Sequence, residues 1–233
     1  MFNFQNQNFT YNVDIIMCID ATASMGPIID EVKRTALQLP RTFLERMDAM
    51  GKHSDMVRFK VIAFRDYGVD AEPMIQSDFF TMDEADKFEQ FVRKIDPIGG
   101  GDIPENSLEA LSYAIKSDWC STGTKRRHVM VLFTDAPALN PEDRKDCKNY
   151  PKGRDVMPTS LADFIDWWDI RSQQAVSIKM NAKAKRLVLY APNAYPWKDL
   201  GTMQSIIHKP ISASSGCGEI SMDDVIELLV NSI

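Results

Sequence analysis

The sequence lacks the features that would tie the protein to a membrane. No apolar run approaches the roughly 20 residues of a transmembrane helix. The first residues are polar and uncharged, with no apolar segment behind basic residues of the kind that marks a secretory signal. We therefore expect a cytoplasmic protein that has no membrane partner.

Positive charge is also scarce. The chain has 27 Lys and Arg residues against 33 Asp and Glu residues, which gives a net charge of -6 at pH 7. No basic stripe interleaved with aromatic residues is present, although such a stripe is the usual footprint of a nucleic-acid-binding surface. We therefore do not expect nucleic acid as a partner.

Several catalytic motifs are absent as well. The four cysteines form neither a Cys-x-x-Cys pair nor a regular framework, so nothing in their spacing requires an oxidising compartment. No Gly-x-x-x-x-Gly-Lys-Ser/Thr loop is present to bind nucleotide phosphates. No Ser/His/Asp or Cys/His set converges where a ligand would bind.

The sequence does contain apolar strands that alternate with amphipathic helices over 233 residues. Residues 13–19 are almost continuously apolar, which is typical of a strand buried on both faces. The other predicted strands are 57–64, 128–134, 187–190 and a short edge strand at 206–208. Since this alternation indicates βαβ units, we predict an α/β fold. It is a doubly wound, mostly parallel sheet with helices on both faces and one short antiparallel edge strand at 77–81.

The predicted organisation is a single domain over residues 1–233, with a core from about residue 11 to residue 233. Pro40 predicts a kink or a break in the first helix, because proline cannot donate a backbone hydrogen bond. Residues 139–158 form a long polar stretch whose length indicates an inserted loop. The helix that starts at Ser160 is predicted to run to about residue 182, with only one of its adjacent Trp167 and Trp168 pointing fully inward.

Oxygen side chains gather where these strands end. Asp20, Thr22 and Ser24 occupy alternate positions directly after the first strand. Asp135 follows a later strand, and Asp102 lies in the loop Gly-Gly-Gly-Asp-Ile-Pro-Glu. Ligands of parallel sheets bind outside the carboxyl ends of the strands, so these segments should share one edge. Oxygen-only ligands suit a hard cation, for which we expect Mg²⁺, with Mn²⁺ or Ca²⁺ as alternatives.

Four more residues on this edge are candidates for supporting the metal ligands or for contacting a partner. Asp66 and Tyr67 follow the second strand, where a turn or an ion pair is an equally good interpretation of Asp66. Tyr195 and Trp197 follow the strand at 187–190, and aromatic side chains are favoured anchors in protein interfaces.

This arrangement resembles the von Willebrand factor type A domain with its metal-ion-dependent adhesion site. The family pattern is Asp-x-Ser-x-Ser after the first strand, a Thr in a glycine-rich loop, and an Asp after the fourth strand. The resemblance covers most of the chain, from about residue 11 to the C-terminal helix. It implies a metal held by Asp20, Thr22, Ser24, Asp102 and Asp135. It also implies a protein partner at the metal-bearing edge of the sheet.

Two positions depart from the family pattern. Thr22 keeps a hydroxyl in place of the first Ser, and Asp102 stands where Thr is usual. The latter variant resembles the A domains of hemicentin-type proteins and of those associated with alpha-kinases. Three carboxylates, those of Asp20, Asp102 and Asp135, would outweigh the charge of the cation. We therefore hypothesise that a partner reaches the metal through a neutral or water-mediated group at least as readily as through a carboxylate.

The resemblance favours a non-enzymatic function. It implies a Mg²⁺-dependent protein-interaction module, acting as an adaptor or regulatory subunit in a bacterial intracellular complex with a kinase, phosphatase or AAA+ ATPase partner. The alternative is a phosphohydrolase or phosphotransferase of haloacid-dehalogenase-like type, which also uses Mg²⁺ and an Asp after its first strand. That class needs a second acid two residues later, where this chain has Thr22.

Overall fold

The computed structural model describes residues 11–52, 54–101, 104–153, 155–171, 177–211 and 222–231. The strands are β1 (Tyr11–Asp20), β2 (Ser54–Phe64), β3 (Met74–Gln76), β4 (Phe80–Thr81), β5 (Lys125–Phe133), β6 (Lys185–Pro192) and β7 (Ile206–Ile211). The helices are α1 (Gly26–Ala49), α2 (Ala85–Arg93), α3 (Ser107–Ile115), α4 (Pro141–Arg144), α5 (Leu161–Asp169), α6 (Trp197–Leu200) and α7 (Met222–Asn231).

The strands form one sheet in the order β3-β2-β1-β5-β6-β7, with β4 paired separately with β2. The neighbouring strands in the part of the sheet ordered β2-β1-β5-β6-β7 all pair in parallel, whereas β3 and β4 run antiparallel to β2. The predicted mostly parallel sheet is therefore confirmed. Because β1 lies between β2 and β5, the segments that leave these three strands are neighbours at one edge.

β1 is central because it is apolar on both faces. Ile15 and Met17 belong to the core under α1, α2 and α7, whereas Ile16 and Cys18 belong to the core under α3 and α5. All four side chains are buried, and their alternation follows from the two-residue period of a strand. Helices thus cover both faces of the sheet, as the doubly wound prediction requires.

Helix α1 continues through Pro40, so a break at this residue does not form. A proline inside a helix costs roughly 3 kcal/mol. Leu39 and Phe43 are fully buried on either side of it. Because burying each such side chain contributes about 1.5–3 kcal/mol, packing against the sheet outweighs the local cost.

The antiparallel edge consists of two short pieces rather than one strand at 77–81. β3 pairs with Ile62–Phe64 and β4 with Arg58 and Phe59. Between them, the Ser77 hydroxyl accepts a hydrogen bond from the Val61 N–H (2.9 Å) and donates one to the Asp78 carbonyl (2.7 Å). This side chain replaces part of the backbone ladder and divides the strand.

Helix α5 ends at Asp169, well short of the predicted residue 182, where Ile170 adopts a left-handed φ of 57°. Trp167 and Trp168 are both buried, so the expectation that only one points inward is wrong. The ammonium of Lys116 lies over the Trp167 ring and that of Lys185 over the Trp168 ring. Side chains from β6 and from the residue directly after α3 therefore cover the two indoles.

The stretch 139–158 contains α4 and otherwise irregular backbone in its described part. Its Tyr150 ring lies 5.1 Å from the Tyr67 ring, and Met157 joins the same apolar cluster. The Tyr150 hydroxyl also donates a 2.7 Å hydrogen bond to Glu109 of α3. These contacts fasten the stretch to the body of the fold. Across the described ranges, no helix combines the length and the apolar character needed to cross a membrane.

Candidate metal-binding site

Four of the predicted ligands form one line of oxygen atoms at the carboxyl edge of the sheet. The Asp20 carboxylate accepts hydrogen bonds at Oδ1 from the Thr22 N–H (3.0 Å) and the Thr22 hydroxyl (2.7 Å). The Thr22 and Ser24 hydroxyl oxygens are 3.1 Å apart. Ser24 reaches Asp135 Oδ1 at 3.2 Å. Parallel pairing of β1 with β5 explains why Asp135 meets the β1 segment.

Thr134 adds a contact that the sequence analysis missed. It follows β5 directly, and its hydroxyl donates a 2.7 Å hydrogen bond to Asp20 Oδ2. The Thr134 oxygen also accepts a bond from the Ala136 N–H at 3.2 Å. Asp20 is therefore held at both oxygens, and Thr134 sets the direction of the chain around Asp135. Its position beside Asp135 was the available signal.

The site concentrates negative charge away from water. Asp20 is fully buried, and burial together with the nearby Asp135 raises the Asp20 pKa to about 6, although hydrogen bonds from Thr22 and Thr134 oppose that rise. Burial likewise raises the pKa of Asp135. Within the described part of the chain, neither carboxylate forms an ion pair with a basic side chain.

The glycine loop closes one side of the site. Gly99 and Gly100 have φ values of +75° and +74°, which glycine adopts at little cost. A Cβ on Gly100 would lie 2.9 Å from the Thr22 Cβ and 3.3 Å from Glu105 Oε1. Asp70 accepts a 3.0 Å hydrogen bond from the Gly100 N–H. Only a residue without a side chain fits between Thr22 and Glu105.

Glu105 is a second residue that the sequence analysis did not select. It is 4% exposed, and its Oε2 atom has no hydrogen-bond partner. Burial, followed by the charges of Asp20, Asp66, Asp135 and Asp70, raises its pKa to about 8. The backbone of Glu105 is bonded to Pro137 and Leu139, which follow Asp135. Its place at the end of the Gly-Gly-Gly-Asp-Ile-Pro-Glu motif was the signal that could have identified it.

The two candidates after β2 are both buried. Asp66 accepts a 2.5 Å hydrogen bond from the Gly68 N–H, while its own N–H donates to Asp70 at 3.1 Å. The Tyr67 ring packs on Tyr150, and its N–H donates to Asn106 Oδ1 at 2.8 Å. Tyr67 therefore stabilises the stretch 139–158 from inside and does not face a partner.

The two candidates after β6 have different environments. Tyr195 is 49% exposed, and its hydroxyl donates to Asn140 Oδ1 at 3.0 Å. Trp197 is fully buried, which favours the first of its two expected roles, support of the metal ligands, over contact with a partner. Its indole N–H donates a 3.0 Å hydrogen bond to the Ala136 carbonyl, which fixes the backbone next to Asp135. Trp197 thus supports the site from behind.

The described donors suit a divalent cation. The hydroxyls of Thr22 and Ser24 carry two protons but take part in three oxygen–oxygen contacts. A cation bound there would relieve both this crowding and the unpaired charge of the carboxylates. Asp102 lies outside the described residues, and among those described no three His, Cys, Asp or Glu side chains alone could hold a metal. The hydroxyls would be needed as ligands.

Comparison with known families agrees with this geometry. The family model described as von Willebrand factor A domain matches residues 14–158, which is more than half of the chain. The chain belongs to the von Willebrand factor A domain family. Domains of this family are generally non-catalytic modules that mediate protein–protein interaction.

Similar proteins occur in different settings. The chain is 26% identical over 147 residues to the alpha-protein kinase vwkA of Dictyostelium discoideum, which covers 60% of this chain and 21% of the kinase. This chain thus spans about a fifth of the length of that kinase. The pilus adhesin SpaC from Lactobacillus rhamnosus GG has a similar fold, with a TM-score of 0.56 and 11% identity. That likeness covers 97% of this chain and 31% of SpaC.

Proposed function

We propose that this chain is a protein-interaction module that depends on a divalent cation, and that it acts as a single domain. Mg²⁺ is the proposed cation, and the ligands are Asp20, Thr22, Ser24, Asp102 and Asp135. The observation that carries this proposal is the line of oxygens from Asp20 to Asp135, which includes no basic partner in the described chain. The line is open to solvent at Ser24, so a partner can approach it.

The proposed role is that of an adaptor or regulatory subunit. A kinase partner is favoured over a phosphatase or an AAA+ ATPase, because the relative vwkA is named as an alpha-protein kinase. The stretch similar to this chain makes up only 21% of that kinase. The bacterial, cytoplasmic setting rests on the family resemblance alone.

Nothing in the site favours the phosphohydrolase alternative. The position two residues after Asp20 holds Thr22, whose hydroxyl is hydrogen-bonded to that same carboxylate. A general acid would be needed there. Glu105 is a buried acid with an unbonded oxygen, but it lies beside the glycine loop and not along β1.

The proposal is tested by affinity capture from native lysate with the purified chain as bait. Wild type in millimolar Mg²⁺ should retain partners that are lost in EDTA and lost with Asp20→Ala. Asp118→Ala is the matched control, because Asp118 is an exposed acid whose carbonyl contacts Arg58 near the other end of β1. Identical captured proteins under all conditions would rule out metal-dependent binding.

Metal binding is measured separately by isothermal titration calorimetry with MgCl₂. Wild type and Asp118→Ala should show the same saturable heat, whereas Asp20→Ala should show none. Phosphatase activity that disappears in Asp20→Ala would instead favour the enzyme alternative.

A further inference from the structure

A buried arginine stands behind the proposed metal site. Arg65 follows β2 directly and is only 6% exposed, although arginine is almost never buried unless it is paired. Within the described ranges Arg65 forms no ion pair, and the hydrogen bonds of its side chain go to backbone carbonyls. Its guanidinium therefore fixes the backbone and does not neutralise an acid.

Three separate segments meet at this guanidinium. Its Nε donates to the Ala21 carbonyl at 3.3 Å, Nη1 to the Glu72 carbonyl at 3.3 Å, and Nη2 to the Asp96 carbonyl at 2.9 Å. Ala21 belongs to the chain that leaves β1, Glu72 to the loop before β3, and Asp96 to the segment that enters the glycine loop. The planar fork of N–H groups can hold three acceptors in fixed directions, which a compact ammonium cannot do.

Strand register brings Arg65 to the chain that carries the proposed ligands. In the parallel pair of β1 with β2, Asp20 lies opposite Phe64, so Ala21 and Arg65 are at the same level of the sheet. The Ala21 N–H continues this pairing with a 2.9 Å hydrogen bond to the Phe64 carbonyl. Ala21 separates two of the proposed ligands, Asp20 and Thr22. The guanidinium thus acts on the backbone between them.

The glycine loop is bonded to the same short piece of chain. The Ile98 N–H donates to the Ala21 carbonyl at 3.2 Å, so this one carbonyl accepts from both Ile98 and Arg65. The Ala23 N–H in turn donates to the Gly99 carbonyl at 3.2 Å. Loss of the guanidinium would remove one of the donors at Ala21 and would loosen the glycine loop from the chain after β1.

We propose that Arg65 is a positioning residue for the metal site. It is not itself a ligand, because a guanidinium has no acceptor atom. It locks the chain after β1 to the glycine loop and so holds Thr22 and Ser24 in their binding arrangement before the cation arrives. Ordered ligands bind more tightly, because binding need not then offset the entropy lost in ordering them. The inference rests on the proposed function, since it concerns the same site.

Electrostatics alone predicts the opposite effect on affinity, which makes the sign of the change diagnostic. A positive charge near a bound cation repels it, so removal of the Arg65 charge would by itself strengthen Mg²⁺ binding. Removal of a positioning residue should weaken Mg²⁺ binding. The expected loss is at least about tenfold, as is typical when groups that orient metal ligands are removed.

The test is isothermal titration calorimetry with MgCl₂ on wild type, Arg65→Met and Arg58→Met, at a temperature at which circular dichroism shows them folded. Arg58→Met is the matched control, because Arg58 is a guanidinium of β2 that bonds Asp14 at the far end of β1. Arg65→Met should bind at least about tenfold more weakly, and Arg58→Met should bind like wild type. Unchanged or tighter binding in Arg65→Met, or an equal loss in Arg58→Met, overturns the inference and leaves the proposed function intact. No saturable heat in wild type overturns both.

Arg65→Lys keeps the charge but not the fork, and it serves as the second variant if Arg65→Met does not fold. It should also bind Mg²⁺ more weakly than wild type, and wild-type affinity in this variant overturns the inference.

Amide hydrogen exchange in the metal-free protein measures the positioning itself. The Ile98 and Ala23 amides should exchange at least about fivefold faster in Arg65→Lys than in wild type, because their bonds join the two segments that Arg65 holds. The Cys120 amide, which is bonded to Asp14 at the other end of the sheet, should be unchanged. Unchanged exchange at Ile98 and Ala23, or equal acceleration at Cys120, overturns the inference.

Discussion

β1 buries two aspartates whose surroundings are opposite in kind. Asp14 is fully buried and receives two hydrogen bonds from the Arg58 guanidinium, at 2.8 and 2.7 Å, and one from the Cys120 N–H at 2.6 Å. Asp20 is equally buried, but among the residues that the structure describes it is bonded only to Thr22 and Thr134. The first carboxylate has a positively charged partner within the fold, whereas the second has none in the described ranges.

Strand register causes this difference. In the parallel pair of β1 with β2, Asp14 lies opposite Arg58, whereas Asp20 lies opposite Phe64. A buried charge needs a partner of opposite sign, and in the described part of the fold a basic side chain lies at only one end of the strand. Two aspartates on one strand therefore differ: Asp14 joins neighbouring strands through an ion pair, and Asp20 is the proposed cation ligand.

Breaking the complete pair should have the largest effect. Arg58→Met leaves Asp14 buried without its cation, which should lower the free energy of unfolding by about 3–5 kcal/mol. Urea denaturation at pH 7 measures this loss. Arg41→Met is the control, because the Arg41–Glu45 pair is exposed on α1 and should contribute less than about 1 kcal/mol. Equal losses in the two variants would contradict the distinction.

The incomplete carboxylate should make the stability of the metal-free protein depend on pH. The pKa of Asp20 is raised to about 6 from an ordinary value of 3.8, so the folded state binds the proton more tightly. Its contribution is present below about pH 4 and is lost as the pH rises through 6. The loss is of the order of 3 kcal/mol.

This pH dependence is measured by urea denaturation in EDTA from pH 4 to pH 8. Because other carboxylates change stability in acid, the quantity to compare is wild type minus Asp20→Asn at each pH. That difference should decline towards pH 7. Glu105→Asn cannot replace Asp20→Asn in this comparison, because its shorter side chain would open a cavity. A flat difference would mean that Asp20 is not destabilised by burial.

Magnesium should restore what Asp20 lacks. At a Mg²⁺ concentration 100 times the dissociation constant, mass action predicts a gain of about 2.7 kcal/mol in the free energy of unfolding. Asp20→Asn should abolish this gain, whereas Arg58→Met should keep it despite lower basal stability. Thermal denaturation with and without MgCl₂ checks both variants. A gain that survives in Asp20→Asn would place the bound ion elsewhere.

The smallest effect is expected from the glycine loop. Gly100→Ala puts a Cβ at a φ of +74° and 2.9 Å from the Thr22 Cβ, which should cost about 1–2 kcal/mol and weaken Mg²⁺ binding. Gly26→Ala is the matched control, because nothing lies within 4 Å of its added Cβ. Calorimetric titration compares the two. Unchanged Mg²⁺ affinity in Gly100→Ala would show that the loop does not shape the site.

The central strands and the edge where they end could be predicted from sequence, because apolar runs and their spacing act locally. Pro40 and the length of α5 were misjudged because packing on the sheet and a left-handed Ile170 outweigh local propensity. For Trp197 the sequence left open whether it supports the ligands or contacts a partner, because its position on the edge was predictable but its burial depends on Ala136 and its surroundings. Glu105 was missed because its significance comes from charges on other segments.

The sequence by itself determined that Asp20, Thr22 and Ser24 stand together, since a few residues of chain fix their separation. It also determined that β1 is buried on both faces, because both sets of alternating side chains are apolar. The strand order predicted from sequence also brought Asp135 to them, but only the tertiary structure decided that Thr134 and Glu105 join them. The sheet order and register also placed Asp14 opposite the Arg58 guanidinium and Asp20 opposite Phe64. Local spacing sets which oxygens are available, but strand pairing sets which charges remain uncompensated.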